Sequence, residues 1–80
     1  MKGQIRWFDS LRGEGVVRSQ NGACYYVHFT AIQGIDKNNY HYPSKTDNEK
    51  LSKINNMECE FELFEDSHFT QVSSCKILNF

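Results

Sequence analysis

Apolar and polar side chains alternate most cleanly between Met57 and Phe64. Met57, Cys59, Phe61 and Leu63 fall on one face, and Glu58, Glu60 and Glu62 on the other. A period of two predicts a half-buried strand with an acidic outer face. The same reading gives four more strands. Gln4 to Phe8 is rich in strand formers, and strict alternation sets Ile5 and Trp7 against Arg6 and Phe8. Arg12 to Arg18 follows, where Gly13 and Gly15 predict a bulge, a sharp coil or a close approach by another group. In Ala23 to Phe29, Cys24, Tyr26 and His28 share one face, and Tyr25, Val27 and Phe29 the other. Phe69 to Leu78 closes the series, with Val72, Cys75 and Ile77 inward and a break expected at Ser73-Ser74.

Turn chemistry separates these runs. Asp9-Ser10 and Glu65-Asp66-Ser67 suit loops, and Asn21-Gly22 predicts a type I′ hairpin turn. Residues 35–56 change character, with much Asn, Lys, Tyr and Ser and the only proline, Pro43. Within them Thr46-Asp47-Asn48-Glu49 fits a capping box. It predicts a helix from about 47 to 54, stopped by Asn55-Asn56. So short a helix needs Leu51 and Ile54 packed on the rest of the protein. Five strands with one helical insertion predict a small all-β barrel in one domain, 1–80.

Composition narrows the function. At 80 residues with 39% apolar content, the chain can build one compact core. No run approaches the ~20 apolar residues of a membrane span, so no membrane partner is expected. The start, Met1-Lys2-Gly3-Gln4, lacks the apolar centre of a secretory signal, which predicts a cytoplasmic protein. Cys24, Cys59 and Cys75 are odd in number and widely spaced, as expected of small buried apolar residues in a reducing compartment. Net charge is −1, but residues 1–30 hold Lys2, Arg6, Arg12 and Arg18, whereas 58–66 hold five acids and no base. Segments so divided would give one mildly basic side.

No catalytic or metal constellation emerges, and no cofactor is expected. Cys24 and His28 stand four residues apart on a strand, roughly 13 Å, too far to share an ion. A Cys–His hydrolase would also need a third orienting group and a pocket, for which a small packed barrel has little room. The informative chemistry is aromatic. Trp7, Tyr26 and His28 are flat rings beside Arg6 and two glycines, a composition suited to stacking on bases next to phosphate.

These segments resemble a known family. Lys2-Gly3-Gln4-Ile5-Arg6-Trp7-Phe8-Asp9 is similar to the opening strand of the cold-shock domain. Arg12-Gly13-Glu14-Gly15-Val16-Val17 resembles its first ribonucleoprotein motif, and Tyr26-Val27-His28-Phe29-Thr30-Ala31-Ile32 its second. The resemblance is strong over residues 2–33 and weaker over 57–78; residues 35–56 exceed the family's usual connection. It implies a five-stranded antiparallel OB-fold barrel that binds single-stranded RNA or DNA, and the short helix read above falls in the insertion between strands 3 and 4. Trp7, Tyr26, His28 and Phe29 would stack on bases. Arg6 and Arg12, with Lys2 and Arg18, would contact phosphate. Ile5, Val17, Val27, Ile32 and Phe61 would fill the core. Trp7 outside with Ile5 inside requires a bulge or coil in the first strand.

Two positions depart from the family. Glu14 and Val16 stand where it has exposed aromatics, a difference of roughly 2–6 kcal/mol in stacking. Tyr40, His41 and Tyr42 in the insertion are further aromatics that could fold back over the face. The alternative function is a repurposed barrel that docks a protein partner, motivated by Glu14, Val16, the acidic pI and the insertion.

Overall fold

Strands with a two-residue period can bury one face by curling around it. The computed structural model describes residues 1–35 and 42–78. Among them, five strands close a barrel in the order β1-β2-β3-β5-β4. The strands are β1 (Lys2–Asp9), β2 (Glu14–Ser19), β3 (Cys24–His28), β4 (Glu58–Glu65) and β5 (Thr70–Ile77). A 3-10 turn spans Phe29–Ala31, and the helix α1 (Lys45–Leu51) lies between β3 and β4. This is the expected OB-type barrel. Four seams are antiparallel. The fifth, β3 with β5, is parallel through Tyr26 and Gln71. The reason is parity: each antiparallel seam reverses direction, and a ring of five cannot reverse at every seam.

Ile5, Val17, Val27, Ile32 and Phe61 are all buried, with Phe8, Phe29, Val72, Cys75 and Ile77 around them. Strict alternation fails in β1. Ile5 faces Val17 and Trp7 faces Val16, leaving Arg6 unpaired as a bulge. The extra residue lets Ile5 and Phe8 both point inward while Trp7 points out. A matching slip in β5, where Glu62 faces Ser74 and Leu63 faces Val72, places a bulge at Ser73, where a break was expected.

Several local expectations are corrected. At the β2–β3 hairpin only Gly22 has positive φ (93°). Gly22 N donates to Ser19 O at 3.0 Å, and Ser19 N to Ala23 O at 2.8 Å. That is a three-residue loop ending in a left-handed glycine, not a type I′ turn. Asn21 holds it by side chain, accepting from Ser19 Oγ and Ala23 N. The helix starts at Lys45 because Ser44, not Thr46, caps it: Ser44 Oγ accepts from Asp47 N at 3.1 Å. Leu51 and Ile54 are buried as the short helix requires. Cys59 and Cys75 are buried, but Cys24 is exposed on the outer face of β3.

The later part of the insertion lies along β1. Past Gln4, β1 has left β4, and its free backbone is taken up by the chain leading into β4. Ile5 N donates to Met57 O at 2.9 Å, Asn56 N donates to Ile5 O at 2.8 Å, and Phe8 N donates to Asn55 Oδ1 at 2.8 Å. Asn48 Nδ2 donates to Ser10 O at 2.8 Å, pinning α1 against the β1–β2 loop. No helix among the described residues is long and apolar enough to cross a membrane.

Candidate nucleic-acid interface

The bulge at Arg6 sets the outer face of β1 in phase with those of β2 and β3. Trp7 faces Val16, and Val16 faces Tyr26. One step along, Asp9 faces Glu14, and Glu14 faces His28. Strands lie about 4.8 Å apart, so the Trp7 and Tyr26 backbones are roughly 10 Å apart with a valine between. Trp7 is 48% exposed and Tyr26 41%. His28, two residues beyond Tyr26, shares their face and is half-buried. The three expected rings therefore stand on one surface.

Packing behind the surface fixes these rings. His28 Nδ1 lies 2.7 Å from Thr30 Oγ1, and its ring caps the 3-10 turn by accepting from Thr30 N. The same ring sits 4.7 Å from that of Phe29. Phe29 itself is 0% exposed, which corrects its expected stacking role. The chain turns inward at the end of β3, and Phe29 fills the core while His28 lies over it. Gly13, at φ 73°, makes room: a Cβ there would come within 2.5 Å of the Phe29 ring. Gly15 likewise lies against Phe8 and the Trp7 backbone. Both glycines admit the protein's own rings and backbone.

The cations divide into two groups. Arg6 is exposed at the bulge beside Trp7. Arg12 is exposed in the β1–β2 loop, where Asp9 Oδ1 accepts from Leu11 N and Arg12 N at 3.0 and 3.2 Å. Arg18 faces Cys24 on the outer side of β2, one step from Val16 and diagonal to Tyr26, whereas Lys2 lies at the start of β1. Both line a polar groove of about 440 Å³ with Gln4, Ser19, Gln20 and Glu58, which no aromatic ring borders. Lys2 also faces Glu60 across the β1–β4 seam. Tyr42 is exposed next to Pro43, which approaches Gly13. Tyr40 and His41 lie outside the described residues.

Two features escaped the sequence reading. Tyr26 Oη donates to Glu14 Oε2 at 3.1 Å. Partial burial, and then this carboxylate, hold the Tyr26 phenol above its ordinary value. Glu14 therefore leans over the shelf between the rings. The second feature is an exposed pair, Phe64 and Phe69, with ring centroids 5.9 Å apart. Phe64 faces Gln71, which faces Tyr26, so the outer row continues onto the β4–β5 hairpin. The parity that placed Glu58, Glu60 and Glu62 outside extends to Phe64, and that signal was present in the sequence.

The chain is 42% identical over 33 residues to the cold shock protein CspB of Bacillus caldolyticus, covering 41% of this chain and 50% of that protein. It is 39% identical over 33 residues to a cold shock-like protein of Thermotoga maritima, with the same shares. To CspD of Bacillus subtilis it is 41% identical over 32 residues, covering 40% of this chain and 48% of that protein. The chain thus matches about half the length of these curated relatives. No family profile matches it. This similarity, carried on a closed five-stranded barrel, supports a cold-shock-like domain.

Proposed function

We propose that the barrel binds single-stranded RNA or DNA on the outer face of β1, β2 and β3, without covalent chemistry. Bases lie on Trp7, Tyr26 and His28, and Arg6 and Arg12 meet the phosphates. One observation carries the reading: the only tryptophan of a small domain is left nearly half exposed, in register with an exposed tyrosine. Aromatic side chains bury about 150–250 Å², so half-exposure forgoes roughly 2 kcal/mol of stabilisation. Such rings grouped on one surface favour a binding face over chance exposure.

Magnitude sets the expected affinity. Each stacked base contributes roughly 1–3 kcal/mol, so three rings reach micromolar binding or weaker. Such a module suits a cytoplasmic cold-shock-type regulator or RNA chaperone, which must release strands as readily as it holds them. Titrating oligo-dT or oligo-U at low salt should quench Trp7 fluorescence, and a Tyr26→Ala change should weaken binding. No quenching at ~100 μM would remove the proposal.

A second reading, a barrel that docks a protein, is favoured by Phe64 and Phe69 standing exposed near Glu62, Glu65 and Asp66. It predicts that Glu14→Phe with Val16→Phe creates oligonucleotide binding from a negligible baseline. Micromolar binding by the unaltered protein, with no gain in the double variant, would dismiss it.

A further inference from the structure

We propose that Glu14 makes this surface selective for guanine among the bases. The inference rests on the nucleic-acid reading above and names which base the same site prefers. Glu14 sits in register between Asp9 and His28 and one step from Val16, on the same face. Its side chain reaches diagonally to Tyr26, where Oε2 accepts from the hydroxyl at 3.1 Å. A base lying on Tyr26 or over Val16 brings its edge to this carboxylate.

A carboxylate only accepts hydrogen bonds, at about four lone-pair sites, and Tyr26 fills one of them. Guanine alone offers two adjacent donors on its Watson–Crick edge, N1–H and the N2 amino group, which match a carboxylate bidentately. Uracil and thymine place one N–H between two carbonyls, whose lone pairs the carboxylate repels. Cytosine and adenine place one amino group beside an unprotonated ring nitrogen, which repels it too. Any other base therefore leaves the half-buried carboxylate desolvated with at most one new hydrogen bond beside that from Tyr26, a penalty that acts as selection against it. The tether to Tyr26 fixes the acceptor relative to the ring on which the base lies, so the two recognise one base together. The same charge repels every backbone phosphate, which lowers affinity for all strands alike and leaves the preference intact.

The test is displacement of a fluorescein-labelled oligo-dT by unlabelled oligo-dT strands carrying one guest base, followed by anisotropy. Inosine is guanine without its N2 amino group, so the guanine–inosine pair isolates the second donor. We expect guanine to compete roughly fivefold or more better than inosine, thymine or cytosine. In Glu14→Gln that advantage should fall to within about twofold. Equal competition by guanine and inosine, with oligo-dT still bound, overturns the inference and leaves the binding face standing. A guanine preference that survives Glu14→Gln also overturns it, since stacking would then be the cause. If labelled oligo-dT does not bind at all, the nucleic-acid reading fails and takes this inference with it. Should Glu14→Gln not fold, the guanine–inosine comparison on the unaltered protein decides alone.

Discussion

Tyr26 and Phe29 are three residues apart and chemically close, yet they have opposite fates. Tyr26 lies on the outer face of β3, whereas Phe29 follows the strand into a 3-10 turn and is fully buried. Truncating Phe29 to Ala should therefore destabilise the domain by about 3–5 kcal/mol, a large share of the roughly 5–15 kcal/mol that holds such a fold. Tyr26→Ala should change stability by about 1 kcal/mol at most and reduce oligonucleotide binding instead. Urea denaturation of both variants separates the two roles. A second residue-scale prediction concerns pH. Burial first, and Glu14 second, raise the Tyr26 phenol above its ordinary value of 10.0. The folded protein then keeps a proton that the unfolded chain releases. The associated stability is complete below the unfolded value and is lost as pH rises through the folded one. Phenolate absorbance, taken as the difference from Tyr26→Phe, should show Tyr26 titrating late. Glu14→Gln should bring that titration earlier, and an unchanged curve would contradict the tether. Tyr26 and His28 were legible from alternation and motif, and Trp7 from the motif alone. Phe29 was misassigned by the resemblance, since alternation had already set it on the face of Val27, which is buried. The Glu14–Tyr26 bond was not legible, being a diagonal contact that depends on side-chain direction.

Strands and turns were legible as elements but less so in their joints. The bulge at Arg6 was required by the family resemblance, while alternation alone would have put Trp7 with Ile5. The hairpin at Asn21-Gly22 was placed correctly and given the wrong turn, since one left-handed residue serves where two were expected. The helix cap was misplaced because both Ser44 and Thr46 can cap and precede an acidic or amide residue at the right distance. Only the structure shows Ser44 accepting from Asp47 N. Ser44→Ala should therefore lower stability by about 1 kcal/mol, and Thr46→Ala by no more than about 0.5 kcal/mol. Comparable losses in denaturant unfolding would contradict this assignment. The insertion finds its place through Asn48, Asn55 and Asn56, which satisfy backbone groups of the β1 edge and the loop after it. Asparagine-rich composition suggested a loop and gave no hint of which edge it would cover.

Across the whole molecule the charges separate less than their order in the chain suggests. Glu60 faces Lys2 on one side and Lys76 on the other, so the acidic face of β4 carries its own partial compensation. Lys2 and Arg18 line a groove that no aromatic ring borders, and Arg6 and Arg12 are the cations proposed to meet phosphate. With two phosphate contacts, log affinity should fall against log salt with a slope of only about −1.4 for a single strand. A slope steeper than about −3 would mean that Lys2 and Arg18 take part after all. The most direct measurement is a two-dimensional NMR map of shift changes on adding a short single strand. It should move the Trp7 indole N–H and the amides of Arg6, Val16, Tyr26 and His28 together, and leave Glu58, Glu60 and Glu62 still. Shifts confined to β4 and the β4–β5 hairpin, with the Trp7 indole unmoved at saturation, would contradict the account.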